Sequence, residues 1–71
     1  MMLRVKSEEL AYQAAIRGWD QAHLARASGV SEATVSRALS GRGVRQSTVL
    51  RLAIALKDAA ALAELEAVVE R

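Results

Sequence analysis

Basic side chains are concentrated in the middle of the chain. Of its ten Lys and Arg residues, six lie between Gln21 and Lys57, and the same stretch has one acidic residue, Glu32. Residues 1–20 are balanced in charge, whereas residues 58–71 contain four acidic residues and one basic residue. Guanidinium groups donate paired hydrogen bonds to phosphate oxygens. The pattern therefore indicates that one surface meets a polyanion, with the acidic end of the chain facing away from it.

Other kinds of chemistry have little support. The sequence has no Cys and one His, His23, so disulfides, thiolate catalysis and Cys- or His-rich metal sites are not predicted. Its serines mostly serve as helix caps, and no convergent polar constellation suggests an enzyme or a cofactor site. No stretch reaches the ~18 apolar residues of a membrane span, and the N-terminus lacks the apolar core of a signal peptide. We expect a cytoplasmic protein that is not an enzyme and needs no cofactor.

Short helices are predicted to position the basic residues. Fifteen Ala and nine Leu favour close-packed helices, and glycines and capping residues divide the chain into five of them, an all-α fold. The predicted caps are Ser7, Asp20, Ser31 and Ser47. The first helix begins at Ser7 and passes through Arg17 to Gly18, the second covers Gln21–Ala27, the third covers Glu32–Leu39, the fourth follows a loop at 42–46, and the fifth covers about 59–70.

The connection between the second and third helices is the most specific feature. It is centred on Gly29 and is too short for antiparallel packing, so the two helices must cross steeply, as in a helix-turn-helix. Ala25 lies four residues before Gly29, where a larger side chain would push the helices apart. Val30 and Val35 fill the angle from the other side. The third helix then exposes a stripe of four residues: Glu32, Ala33, Ser36 and Arg37.

Two resemblances follow from these residues. The spacing Gln21-x3-Ala25-x3-Gly29-Val30-x4-Val35 resembles the lambda-repressor/Cro-type helix-turn-helix family over about residues 8–58, and residues 28–41 are similar to the recognition unit of the lactose-repressor family. The first resemblance implies a compact five-helix lambda-repressor-like domain. Its parts would be an arm or short strand (1–6), a DNA-binding domain (7–57, motif 20–41) and a C-terminal helix (58–71).

The resemblance also implies a function. It indicates a transcriptional regulator, in particular a repressor, that binds double-stranded DNA with the recognition helix 31–39 in the major groove. The matching positions make Glu32, Ala33 and Arg37 the base readers, with Arg37 on guanine and Glu32 on cytosine. For Glu32 the alternative is stabilisation of the helix dipole. The backbone contacts would come from Gln21, Thr34, Ser36, Ser40, Arg42 and Arg45.

The family often has a buried Arg–Glu pair where this chain has Ala14 and Leu39. Removing one member of such a pair costs about 3–5 kcal/mol, whereas replacing both by packing groups is often neutral. We therefore expect the third helix to pack on the first through apolar side chains.

The C-terminal segment has an apolar stripe that exceeds what one small core needs. Its residues, Leu62, Leu65, Val68 and Val69, are the predicted dimer interface, and packing within one chain is the alternative. A homodimer implies an inverted-repeat operator with half-sites about 10 bp apart. Alternatively, arms at residues 3–5 pair across the dimer axis. A different function remains open: a protein-interaction module, such as an antitoxin or adaptor, with a protein partner and secondary DNA binding.

Overall fold

The computed structural model describes residues 2–59 as four helices and one two-stranded sheet. The expected all-α fold is therefore corrected to a mostly helical one. The predicted fifth helix, with its dimer residues Leu62, Leu65, Val68 and Val69, lies outside the described residues. In chain order the elements are β1 (Met2–Arg4), α1 (Ser7–Ala15), α2 (Gln21–Ser28), α3 (Glu32–Leu39), β2 (Gly43–Arg45) and α4 (Gln46–Asp58).

Two of the four predicted helix caps are correct. The Asp20 carboxylate accepts a hydrogen bond of 2.7 Å from the backbone N–H of His23, and the Ser31 hydroxyl accepts one of 3.1 Å from that of Thr34. The other two predictions are wrong by one or two residues, because Ser7 is the first residue of α1 and Ser47 is the second residue of α4. The capping positions there are Lys6 and Arg45, both in extended conformation.

The predicted loop at 42–46 contains a strand instead. β2 pairs antiparallel with β1, and Leu3 lies opposite Val44. Val44 is 2% exposed, so the strand is held by burial of its central side chain in the core. The N-terminal arm is thus the short strand that the sequence suggested as one option, and it pairs within its own chain.

The core forms where the four helices and β2 meet. Its buried members include Leu24, Val35, Ala38 and Val44, each no more than 2% exposed. Ala14 of α1 is also buried, and Leu39 of α3 is half-buried against the same cluster. Leu39 packs against the cluster that contains Ala14, and α1 contacts α3, so apolar side chains occupy both positions at which the resemblance raised a charged pair.

Arg17 connects the end of α1 with the end of α4. The helix α1 ends at Ala15, earlier than predicted, and Arg17 lies in the turn that follows. Its Nε donates to the carbonyl oxygens of Leu56 (3.1 Å) and Ala59 (2.8 Å), and its Nη1 donates to the carbonyl and side-chain oxygens of Gln13. The guanidinium therefore satisfies carbonyls at the negative end of the α4 dipole.

Within residues 2–59, no helix is long and apolar enough to cross a membrane.

Candidate nucleic-acid interface

The turn between α2 and α3 has the geometry that the sequence requires. Gly29 ends α2 in the left-handed conformation, at φ +73°, which residues with a Cβ rarely adopt. The backbone N–H groups of Gly29 and Val30 both donate to the carbonyl of Ala25. Ala25 itself is 4% exposed and belongs to the buried core. The turn fixes the direction in which α3 leaves α2.

A residue of α4 completes this turn. The Arg51 Nη1 donates a hydrogen bond of 3.1 Å to the Gly29 carbonyl oxygen. That carbonyl belongs to the end of α2, where the helix lacks its own donors. Arg51 therefore ties the turn to the helix that follows the recognition segment.

The outer face of α3 is open to solvent. Val35 and Ala38 are fully buried in the core, at 0% exposure. This places the opposite side chains on the surface, since helix residues repeat every 3.6 positions. The exposed residues are the predicted stripe: Glu32, Ala33, Ser36 and Arg37.

Arg37 lies at the edge of a basic groove. The groove is lined by three arginines, Arg37, Arg45 and Arg51, and by the hydroxyl-bearing residues Ser31, Thr34, Ser47 and Thr48; its apolar lining residues are Met2, Val30 and Val44. All three arginines are exposed to solvent. The groove runs between α3 and the start of α4, so the positive end of the α4 dipole adds to the charge of the arginines. This concave, positively charged surface suits a phosphate backbone.

The hydrogen bonds of the predicted phosphate-binding side chains differ from one another. Gln21 Nε2 donates to the Glu32 carbonyl at 3.2 Å and so bridges the first turns of α2 and α3. The Thr34 hydroxyl accepts from Ser31 at 2.9 Å, which leaves its own proton free. The Ser40 hydroxyl instead donates to the Ser36 carbonyl at 2.8 Å. Ser40 in this state has no proton to offer to an anion.

The structure brings only part of the predicted set together. Arg37, Thr34 and Arg45 line the groove. The remaining six do not line the groove and belong to α2, to α3 or to the segment that follows α3: Gln21, Glu32, Ala33, Ser36, Ser40 and Arg42.

Sequence reasoning missed four polar groove residues: Ser31, which was predicted only as a helix cap, and three residues of α4. Arg51 was interpreted as part of a solvated face, Ser47 as a cap, and Thr48 was given no role. Thr48 is 9% exposed, and all three residues line the groove. The available signal was their spacing, since positions three and four apart share one face of a helix.

Two helices joined by a tight turn, the second exposed beside a basic groove, define the helix-turn-helix class of DNA-binding domains. A family model described as helix-turn-helix matches residues 14–57, more than half of the chain. The chain therefore belongs to the Cro/C1-type helix-turn-helix family, whose members are DNA-binding regulators. No curated protein and no solved structure matches the chain.

Proposed function

We propose that the protein is a transcriptional repressor that recognises a specific DNA sequence with α3 in the major groove and acts by occupying its operator. One observation carries this proposal: the exposed stripe of α3 adjoins a groove lined by Arg37, Arg45 and Arg51. A helix in the major groove has phosphates on both sides of it, so base-reading and phosphate-binding side chains must lie next to each other. The similarity of residues 28–41 to the lactose-repressor recognition unit stays a prediction.

The base contacts follow from the chemistry of the stripe. Arg37 can donate two hydrogen bonds to O6 and N7 of guanine, and Glu32 can accept from N4 of cytosine. Ala33 offers an apolar surface that fits the methyl group of thymine. Glu32 also repels phosphate, so it contributes to discrimination between sequences and lowers affinity for any duplex in a wrong register.

The backbone contacts come from the residues around this stripe. Arg45 and Arg51 hold a phosphate in the groove, and Arg42 holds one beside it. The free proton of Thr34 allows it to donate to a phosphate oxygen, and Gln21 reaches the backbone at the start of α2. Ser36 is exposed on the stripe, where its hydroxyl is available for a backbone contact. Ser40 contributes only after it has released the Ser36 carbonyl.

One observation favours the protein-interaction alternative. Leu50 and Ile54 lie one turn apart on α4 and are 55% and 58% exposed. Exposed apolar side chains that adjoin each other are frequent at protein–protein contacts. A repressor and an interaction module are distinguished by how they bind DNA.

Fluorescence anisotropy with a random duplex at low and moderate salt tests the proposal first. We expect binding that weakens steeply as salt rises, because each phosphate contact releases condensed counterions. Selection from a randomised duplex library then yields the preferred sequence. Lys57→Ala is the control for net charge, since it removes one positive charge from the exposed far end of α4, outside the groove. The absence of salt-sensitive binding, or a library that gives no preferred sequence, contradicts the proposal and supports the interaction module.

A further inference from the structure

We propose that the strand pair β1–β2 is a specificity element, because it holds Arg37 in position for reading bases through the carbonyl of Gly43. The inference rests on the proposed function and adds to it a positioning residue outside the helix-turn-helix. It rests on three observations: the hydrogen bond from Arg37 to Gly43, the close approach of Gly43 to β1, and the burial of Val44 in β2.

The hydrogen bond directs the Arg37 side chain. Its Nη2 donates to the Gly43 carbonyl oxygen at 3.2 Å, across the segment that joins α3 to β2. A guanidinium has five N–H donors in a fixed plane, so one bond to Gly43 leaves other donors available for a base. An exposed arginine otherwise loses much of its rotamer freedom when it is fixed in one orientation. A side chain that is already held loses less of this freedom on binding, which strengthens the contact.

The position of the Gly43 carbonyl depends on β1. Gly43 lies opposite Arg4 in the ladder, and a Cβ built on Gly43 would meet the Cβ of Met2 at 3.1 Å and the carbonyl oxygen of Leu3 at 3.9 Å. The first distance is closer than side chains normally approach. A side chain at position 43 must therefore displace β1 or shift β2, and a shift of β2 moves the carbonyl.

The buried central residue of β2 keeps this arrangement from relaxing freely. Val44, next to Gly43, is 2% exposed and belongs to the core. A displacement at position 43 is therefore absorbed at Gly43 itself, which is half-buried and carries the contact to Arg37. We infer that substitutions at Gly43 act on Arg37 more than on the core.

The test measures a ratio of affinities. Its numerator is the affinity for a duplex that the wild-type chain selects from a randomised library, and its denominator is the affinity for a random duplex. A loss of folded protein lowers both affinities equally and cancels from the ratio. Gly43→Val is expected to lower the ratio three- to ten-fold, about the effect of one hydrogen bond. In an Arg37→Ala background it is expected to cause no further loss, because the two residues act through one contact.

Further variants protect the test against misfolding and changes in charge. Gly43→Ala adds a single methyl group and serves if the valine variant does not fold. Met2→Gly removes the Cβ that this methyl would meet, so it is expected to restore the ratio in Gly43→Ala. Arg4→Ala is the matched control, because it removes a charge opposite Gly43 without filling the strand contact; it is expected to leave the ratio unchanged.

The failures of the two proposals are distinguishable. If Arg37→Ala lowers the ratio but neither Gly43 variant does, the strand pair has no positioning role and the proposed function stands. Additive losses in the double variant also overturn the inference, since Gly43 then acts by a route other than Arg37. If the wild-type chain selects no sequence, or Arg37→Ala leaves the ratio unchanged, the base-reading role fails and the inference fails with it.

Discussion

Arg37 and Arg42 carry the same charge but are expected to act differently. Arg37 lies on the exposed stripe of α3 and lines the groove, whereas Arg42 follows α3 and lies outside the groove. Contacts to base edges discriminate between sequences, and contacts to phosphates do not. The two residues therefore form a natural pair of variants for separating base reading from backbone binding.

Arg37→Ala is expected to cost about 1–3 kcal/mol on the selected duplex, because a paired contact to one guanine is lost. Binding to random duplex is expected to fall much less. Anisotropy titrations on the selected duplex and on duplexes changed at one base pair measure both effects. Equal losses on selected and random DNA would show that Arg37 does not read a base.

Arg42→Ala is expected to weaken binding to all sequences alike. Since one phosphate contact is removed, the slope of log affinity against log salt should become shallower by about one. Titrations at four or more salt concentrations give the slope, and Lys57→Ala provides the comparison for loss of a distant charge. An unchanged slope would place Arg42 away from the DNA backbone.

The residue types indicated a polyanion partner, but the partners of each side chain were not predictable. Arg37 to Gly43 spans six residues along the chain, and Arg51 to Gly29 spans 22. Such bonds depend on where two elements meet, which no local pattern encodes. The role of Arg51 in the turn was therefore missed, although its charge was counted.

At the scale of elements, α2 and α3 were the most predictable. Their caps, Asp20 and Ser31, bond a backbone N–H three residues ahead, so the signal lies within one turn of chain. β2 was not predictable because its partner lies some 40 residues away and its three residues follow a turn-like segment. A strand that short is specified by its partner and by burial of Val44, not by its own pattern.

Gly29→Ala is expected to destabilise the fold by about 1–2 kcal/mol, because alanine is strained in the left-handed conformation. Gly41→Ala is a close comparison: Gly41 has φ +74°, and a Cβ there meets nothing within 4 Å. At Gly29 the new Cβ would lie 3.5 Å from Arg51 Nη1, an ordinary contact. Urea denaturation should therefore give similar losses for both. A negligible loss at Gly29 would contradict the turn geometry.

Arg17→Met is expected to lower the free energy of unfolding by about 1–3 kcal/mol, since it removes charge-assisted hydrogen bonds to carbonyls at the end of α4. Arg17→Lys keeps the positive charge near the helix end but lacks the planar fork, so it should recover only part of the loss. Urea denaturation followed by circular dichroism measures both variants. If the methionine variant is as stable as the wild type, Arg17 does not stabilise α4.

At the scale of the molecule, the fold gathers basic residues from the middle of the chain on one surface, as the charge distribution predicted. The basic middle of the chain folds so that Arg37, Arg45 and Arg51 face one groove, although they belong to α3, β2 and α4. Composition predicted that such a surface would exist but could not say which arginines form it. The packing of α4 against α2 and of β2 against α3 decides that grouping.

Dimerisation through residues 62–69 is the prediction that belongs to the whole molecule. A two-fold dimer sets two recognition helices about 34 Å apart, so it binds two half-sites about 10 bp apart more tightly than one. Leu65→Asp places a charge in the predicted apolar stripe and is expected to give a monomer by sedimentation equilibrium. The same variant should lose the preference for two half-sites while its affinity for one half-site is unchanged. Glu66→Ala, next to the stripe, is the control and should remain dimeric. A monomeric wild-type chain that binds two half-sites no better than one would show that the operator is read by single copies.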